Sequence, residues 1–85
     1  MMYEIIIEKK AQKFIVSQQK EQQGRILKAI YQLPKQGDIK PLTGHESVFR
    51  LRVGDYRIIF TRQDCILLIR VVNVGNRGQI YKGYK

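Results

Sequence analysis

At 85 residues the chain has room for one modest hydrophobic core and no second domain. With 44% hydrophobic and 27% charged residues it is globular material rather than a disordered tail, yet 16 Lys and Arg against 7 Asp and Glu leave a net charge of +9 and a pI near 10.0. A surplus of that size on so small a surface points first to a polyanion such as RNA, DNA or ribosome, then to an acidic protein, then to anionic membrane. The single cysteine, Cys65, excludes an internal disulfide and suits a reducing compartment. With one histidine and no Cys-x-x-Cys pair, a His/Cys zinc site is excluded as well. No apolar stretch of about 18 residues exists to span a bilayer and no secretory leader is recognisable, so a soluble, cytoplasmic protein with no membrane partner is expected.

In chain order, Tyr3 to Ile7 reads as a short β-branched strand. Glu8-Lys9-Lys10 turns the chain into a helical stretch on which Ala11, Phe14 and Ile15 share a face, with Gln18 at the same spacing. Gln18 to Gln23 is polar, and a break is expected near Gly24. A second helix follows from about Arg25 to Leu33, its buried stripe formed by Ile26, Leu27, Ile30 and Leu33 and its stop by Pro34. The turn chemistry of Gln36-Gly37-Asp38 and of Pro41 to Gly44 makes Lys35 to Glu46 a connecting loop.

Val48 to Phe60 is the most informative segment. Phe49, Leu51 and Val53 alternate with Arg50 and Arg52, Gly54-Asp55 forms a two-residue turn suited to type II′, and Tyr56 to Phe60 returns. That register sets Val53 opposite Tyr56 and Arg52 opposite Arg57, with Arg50 diagonal to Arg57 on the same face. Like charges opposed across a strand pair cost stability, so their convergence suggests an anion held between them. The plainer alternative is a solvated face with arginine heads in water. Phe49 and Phe60 fall at pleat positions facing the core.

Thr61 to Asp64 reads as a short turn, and Cys65 to Val74 as a central strand covered on both faces, with Cys65 a buried structural thiol. Gly75 to Gly78 is then a loop and Gln79 to Lys82 a short closing strand. The order β-α-α-β-β-β, with a possible further strand, predicts an α+β domain: a small antiparallel sheet with an N-terminal helical hairpin packed on one face.

Antiparallel geometry brings the loop carrying Arg77, and Tyr81 four residues on, toward the arginines of the hairpin. Arg50, Arg52, Arg57, Arg77 and Tyr81 would then form one basic, partly aromatic concavity. Guanidinium groups bind phosphate in bidentate fashion and stay protonated, so they can neutralise a phosphodiester and the charge that develops as it reacts. Tyr81 could take part in proton transfer or stack on a base. Glu4, Glu8, Glu21, Asp38, Glu46, Asp55 and Asp64 are scattered, so no magnesium cluster is expected; neither metal nor cofactor is called for. RNA would supply its own 2′-hydroxyl as nucleophile. His45, in the loop before the hairpin, is either a substrate-binding or acid–base group or simply solvated. Without a His pair or a His–Glu pair, activity on free RNA should be poor, which favours a larger partner that positions the substrate.

The stretch K-P-L-T-G-H-E-S-V-F-R-L-R-V-G-D-Y-R-I-I-F, followed by I-L-L-I-R-V-V-N-V-G-N-R-G-Q-I-Y, resembles the toxins of the RelE/ParE superfamily, specifically the RelE branch. The resemblance covers essentially the whole chain. It implies a RelE-like fold and a toxin of a type II toxin–antitoxin system: a messenger RNA interferase that cleaves in the ribosomal A site, stops translation and is held inactive by a cognate antitoxin. A toxin–antitoxin hetero-oligomer that binds operator DNA through the antitoxin is implied too. By position, Arg50 matches a basic residue that contacts substrate or moves a proton, and Arg52 a second basic position on that strand. Arg57 matches the arginine on the scissile phosphate and Arg77 the one that stabilises the leaving group or transition state. Tyr81 matches the tyrosine that aligns the nucleotide and helps activate the 2′-hydroxyl. Val48 and Asn76 depart from the pattern, standing where some members carry basic residues. The alternative within the superfamily is a ParE-like toxin that inhibits DNA gyrase by binding; a plain RNA-binding module would instead expose aromatic residues on its sheet.

Overall fold

The computed structural model describes residues 3–42, 44 and 47–76. The expected closing strand at 79–82 lies outside them. β1 (Glu4–Ile7) leads into α1 (Lys9–Val16) and α2 (Lys20–Tyr31), followed by β2 (Asp38–Pro41), β3 (Val48–Val53), β4 (Tyr56–Gln63), a one-turn 3₁₀ helix (Asp64–Ile66) and β5 (Leu68–Asn76). The five strands form one sheet in the order β1-β5-β4-β3-β2. β2, β3, β4 and β5 pair antiparallel, and β1 joins β5 in parallel, so the sheet is mixed at one edge.

The apolar spacing of the helices fixes which faces are buried. Ala11 and Ile15 on α1, and Ile26 and Ile30 on α2, stand four apart and are fully or almost fully buried. They meet Leu51, Ile58, Phe60, Ile69, Val71 and Val74 from one face of the sheet, with Leu33 closing the cluster. Phe49 stacks on Phe60 at 5.6 Å between centroids, so both face the core as the pleat requires.

Several boundaries differ from the sequence reading. The helical break lies at Ser17–Gln19, not at Gly24, which sits inside α2 with open space around it. Glu21 in the first turn and the buried pair Ile26 and Ile30 outweigh the roughly 1 kcal/mol that an internal glycine costs. The expected loop at 35–46 contains β2, an edge strand compatible with Pro41 because an edge position can forgo a ladder donor. β4 continues through the expected turn at Thr61, and the reversal falls instead on the 3₁₀ helix, where Leu67 takes a left-handed conformation at φ 50°. Cys65 lies on that reversal and is exposed, so it is not a buried core thiol. β5 is interior, yet the middle of the sheet is β4; Arg70, Val72 and Asn73 leave one face of β5 only partly covered. The register between β4 and β5 also slips between Ile59 and Phe60, a bulge that places Val71 and Val74 on the core side together.

Candidate functional site

The β3–β4 hairpin has the register that the sequence predicts: Val53 opposite Tyr56, Arg52 opposite Arg57, and Arg50 opposite Ile59. Gly54 adopts φ +56° while Asp55 stays on the negative side, the signature of a type II′ turn. Since Leu51, Ile58 and Phe60 face the helices, Arg50, Arg52, Arg57 and Ile59 project from the opposite face, which carries no helix among the described residues. The pleat alone therefore gathers three guanidinium groups in one area.

The three are not equivalent. Arg52 is exposed. Arg57 is buried to 8% exposure, its Nη1 donating to the carbonyls of Gly54 at 3.2 Å and Tyr56 at 3.1 Å. Opposite it across β5 stands Gly75, which has no side chain to compete for that space. Among the described residues only Nη1 of Arg57 is engaged, so Nε and Nη2 keep donors in a fixed, preorganised plane. Arg50 is held by Asp38 of β2 at 3.5 Å, its own side chain mostly covered and that of Asp38 about half exposed. Asp38 is the residue the sequence reading missed. The alternation of Asp38 and Lys40 with half-buried Ile39 is the signal that would have found it, masked by flanking turn residues.

The like-charge convergence is thus partly neutralised within the molecule. One arginine has a counter-ion, one is braced by carbonyl dipoles and one stands in solvent. Ile59, fully buried, forms the apolar floor between them. His45, Arg77 and Tyr81 lie outside the described residues. No cluster of three or more metal-ligating side chains occurs among the described residues, and no helix among them is long and apolar enough to cross a membrane.

A second ionic group occurs at the far end of β4. The Tyr3 hydroxyl and Arg62 Nε each donate to Asp64 Oδ1 at 2.6 Å, and the Arg62 guanidinium lies 5.7 Å from the Tyr3 ring centroid. Those two donors hold the Asp64 carboxyl below its ordinary range, Tyr3 contributing more than Arg62. The same bond to Asp64 pushes the Tyr3 hydroxyl up. This group ties β1 to the 3₁₀ turn and stands apart from the arginine face.

A small mixed sheet with both described helices on one face and a cluster of arginines on the other defines a class of α+β domain whose arginine face is its chemically distinctive surface. The chain belongs to the ParE toxin family of type II toxin–antitoxin systems, the family of parDE, with a match over residues 8–81. No curated protein sequence matches it. Its fold resembles the toxin in the archaeal RelE–RelB complex from Pyrococcus horikoshii, with 26% identity and a TM-score of 0.75 over 93% of this chain and 99% of that one. It also resembles the RelB–RelE complex from Methanococcus jannaschii, at 24% identity and TM-score 0.75, covering 94% of this chain and 99% of that one. A mutant of the Escherichia coli RelE toxin in the free state, 17% identical, matches 92% of this chain and 86% of its own with a TM-score of 0.74. The chain is a toxin of the RelE/ParE superfamily, with the RelE-like fold.

Proposed function

We propose that this toxin is a ribosome-dependent endoribonuclease that cuts messenger RNA in the A site. The observation that supports it most is the convergence of Arg50, Arg52 and Arg57 on the arginine face, with the Arg57 fork fixed in place by the turn carbonyls. A phosphodiester docked there would meet guanidinium donors already oriented, which stabilises the extra negative charge of the pentacovalent transition state. The 2′-oxygen attacks phosphorus, its proton passes to a base, and the 5′-oxygen leaves as it gains a proton, giving a 2′,3′-cyclic phosphate and a 5′-hydroxyl. Tyr81 and Arg50 are the candidates for moving the proton from the 2′-hydroxyl. Arg57 binds the scissile phosphate, Arg77 stabilises the leaving group, and Arg52 and His45 contact the flanking strand. The ribosome holds the message in line for attack, supplying the positioning.

The partner that keeps such a toxin inactive is a cognate antitoxin. The likenesses from P. horikoshii and M. jannaschii are both RelB–RelE complexes. An acidic antitoxin segment suits a surface of +9 and would be steered to it by charge. The toxin–antitoxin assembly would reach operator DNA through the antitoxin.

One observation favours a second reading, gyrase inhibition without nuclease chemistry: the family matched is named for ParE toxins. Expressing the chain from a tightly controlled promoter and mapping 5′ ends on translated and untranslated copies of one message separates the two. Cuts confined to the translated copy and lost in Arg57→Ala support the nuclease. Growth arrest with intact message supports gyrase inhibition.

A further inference from the structure

The α1–α2 turn and the tip of the β3–β4 hairpin enclose a groove of about 630 Å³ at the end of the sheet. Its lining is polar: Gln19, Gln22 and Arg25 from the helical side, Asp55 and Tyr56 from the hairpin, and Asn76 from the end of β5. Two contacts hold its shape. The Tyr56 hydroxyl donates to Gln18 Oε1 at 2.9 Å while its ring meets Phe14 edge-on at 6.0 Å. Arg25 Nη1 donates to Gln22 Oε1 at 3.3 Å, and its Nη2 lies so close over Gly54 that a Cβ there would sit 3.3 Å away.

Gly54 is also the residue whose carbonyl accepts from Arg57 Nη1. One turn residue is therefore flanked by two guanidinium groups, Arg57 from the arginine face and Arg25 from the helical side. Arg25 is exposed, and no carboxylate among the described residues lies within ion-pair distance of it. A guanidinium in the wall of a groove lined by carboxamides and a single carboxylate, Asp55, has the chemistry of a nucleotide site. The cation takes a phosphate, and carboxamides, which both donate and accept, match the mixed pattern of a base edge. An apolar side chain of a protein partner would leave those amides unsatisfied.

We infer that this groove is a second nucleotide subsite for the RNA strand on the arginine face, with Arg25 on a phosphate and Gln19, Gln22 and Asn76 at the base edge. The strand bends round the hairpin tip, passing from Arg57 to Arg25 across Gly54. This subsite rests on the RNA-cleaving reading given above.

Fluorescence anisotropy with labelled single-stranded oligo-A, oligo-C and oligo-U tests it on the intact protein. The variants are Arg25→Gln, Gln22→Leu, Arg57→Ala and Lys28→Gln, the last removing an equal charge from the same helix outside the groove. Arg25→Gln should weaken binding about tenfold, as for a charge-assisted contact, and lower the salt slope of log affinity by about 0.7, while Lys28→Gln changes affinity less than about twofold. Gln22→Leu should alter the affinity ratios among the three oligonucleotides with the salt slope unchanged. An Arg25→Gln effect no larger than that of Lys28→Gln, or identical base ratios in Gln22→Leu and wild type, overturns the subsite. Weakened binding in Arg57→Ala beside an unaffected Arg25→Gln removes the subsite and leaves the nuclease standing. Wild-type protein without affinity for any of the oligonucleotides also removes the subsite, and the message-mapping experiment then decides the nuclease independently.

Discussion

Replacing Arg57 with alanine separates a catalytic from a structural role, and the structure bounds the outcome. The substitution removes two hydrogen bonds, 3.2 and 3.1 Å long, from a charged donor to the turn carbonyls. At about 1.5 kcal/mol net each for a charged donor, less a few tenths regained by relieving the repulsion with Arg52 across the strand pair, the loss is about 3 kcal/mol. An 85-residue domain of ordinary stability has about 4–13 kcal/mol to lose. At the lower limit about 1 kcal/mol remains, enough to keep the folded form in roughly fivefold excess. Urea unfolding followed by circular dichroism should therefore show a cooperative transition at reduced midpoint with an unchanged slope, while message cleavage and growth arrest are abolished. Arg57→Lys should recover part of the stability and little of the cleavage, since a lysine keeps the charge but not the planar fork. A variant that is unfolded at 37 °C, or one that is folded and fully toxic, would refute the reasoning.

Asp38→Asn removes the counter-ion of Arg50, a pair whose aspartate is half exposed and which is worth about 0.5 kcal/mol. Stability should barely change while affinity for single-stranded RNA rises two- to threefold; weaker binding would show that Asp38 orients Arg50 rather than competing with phosphate. Gly54→Ala forces a left-handed φ of +56° and a Cβ 3.3 Å from Arg25, so it should lower stability by about 1–2 kcal/mol, with Gly54→Asn costing less, and a thermal melt that ranks them the other way would contradict the turn assignment. Because the Asp64 carboxyl is held below its ordinary range by Tyr3 and Arg62, its contribution is present above the unfolded-state value near 3.9 and lost as pH falls through the lower folded-state one. Stability measured between pH 6 and 2 should thus fall less steeply in Asp64→Asn than in wild type, and parallel curves would show that the group is not coupled to folding.

How much of this was legible in one dimension differs by element. Period-2 alternation and a glycine at a turn position are local signals, and they placed Arg50, Arg52 and Arg57 on one face with the correct partners opposite. The stripes of Ala11 and Ile15, and of Ile26 and Ile30, were equally readable, since four-residue spacing on a helix needs no tertiary information. β2 was not, because four residues flanked by turn formers become a strand only when β3 offers its edge. The helical break at Ser17 instead of Gly24 was likewise decided by packing, which tolerates a glycine where nothing crowds it.

Composition and pattern by themselves determined the α+β class, a large positive charge and a hairpin whose geometry must oppose like charges. Only the tertiary structure could decide what neutralises those charges. Asp38 and Arg50 are twelve positions apart, and Arg25 and Gly54 twenty-nine, so their contacts exist only once the sheet and helical hairpin have brought distant segments together. Hydrogen bonds and ion pairs form only between groups within a few ångströms of one another, whereas alternation acts along the chain. The face was therefore written in the sequence, and the partners on it were assigned by the fold.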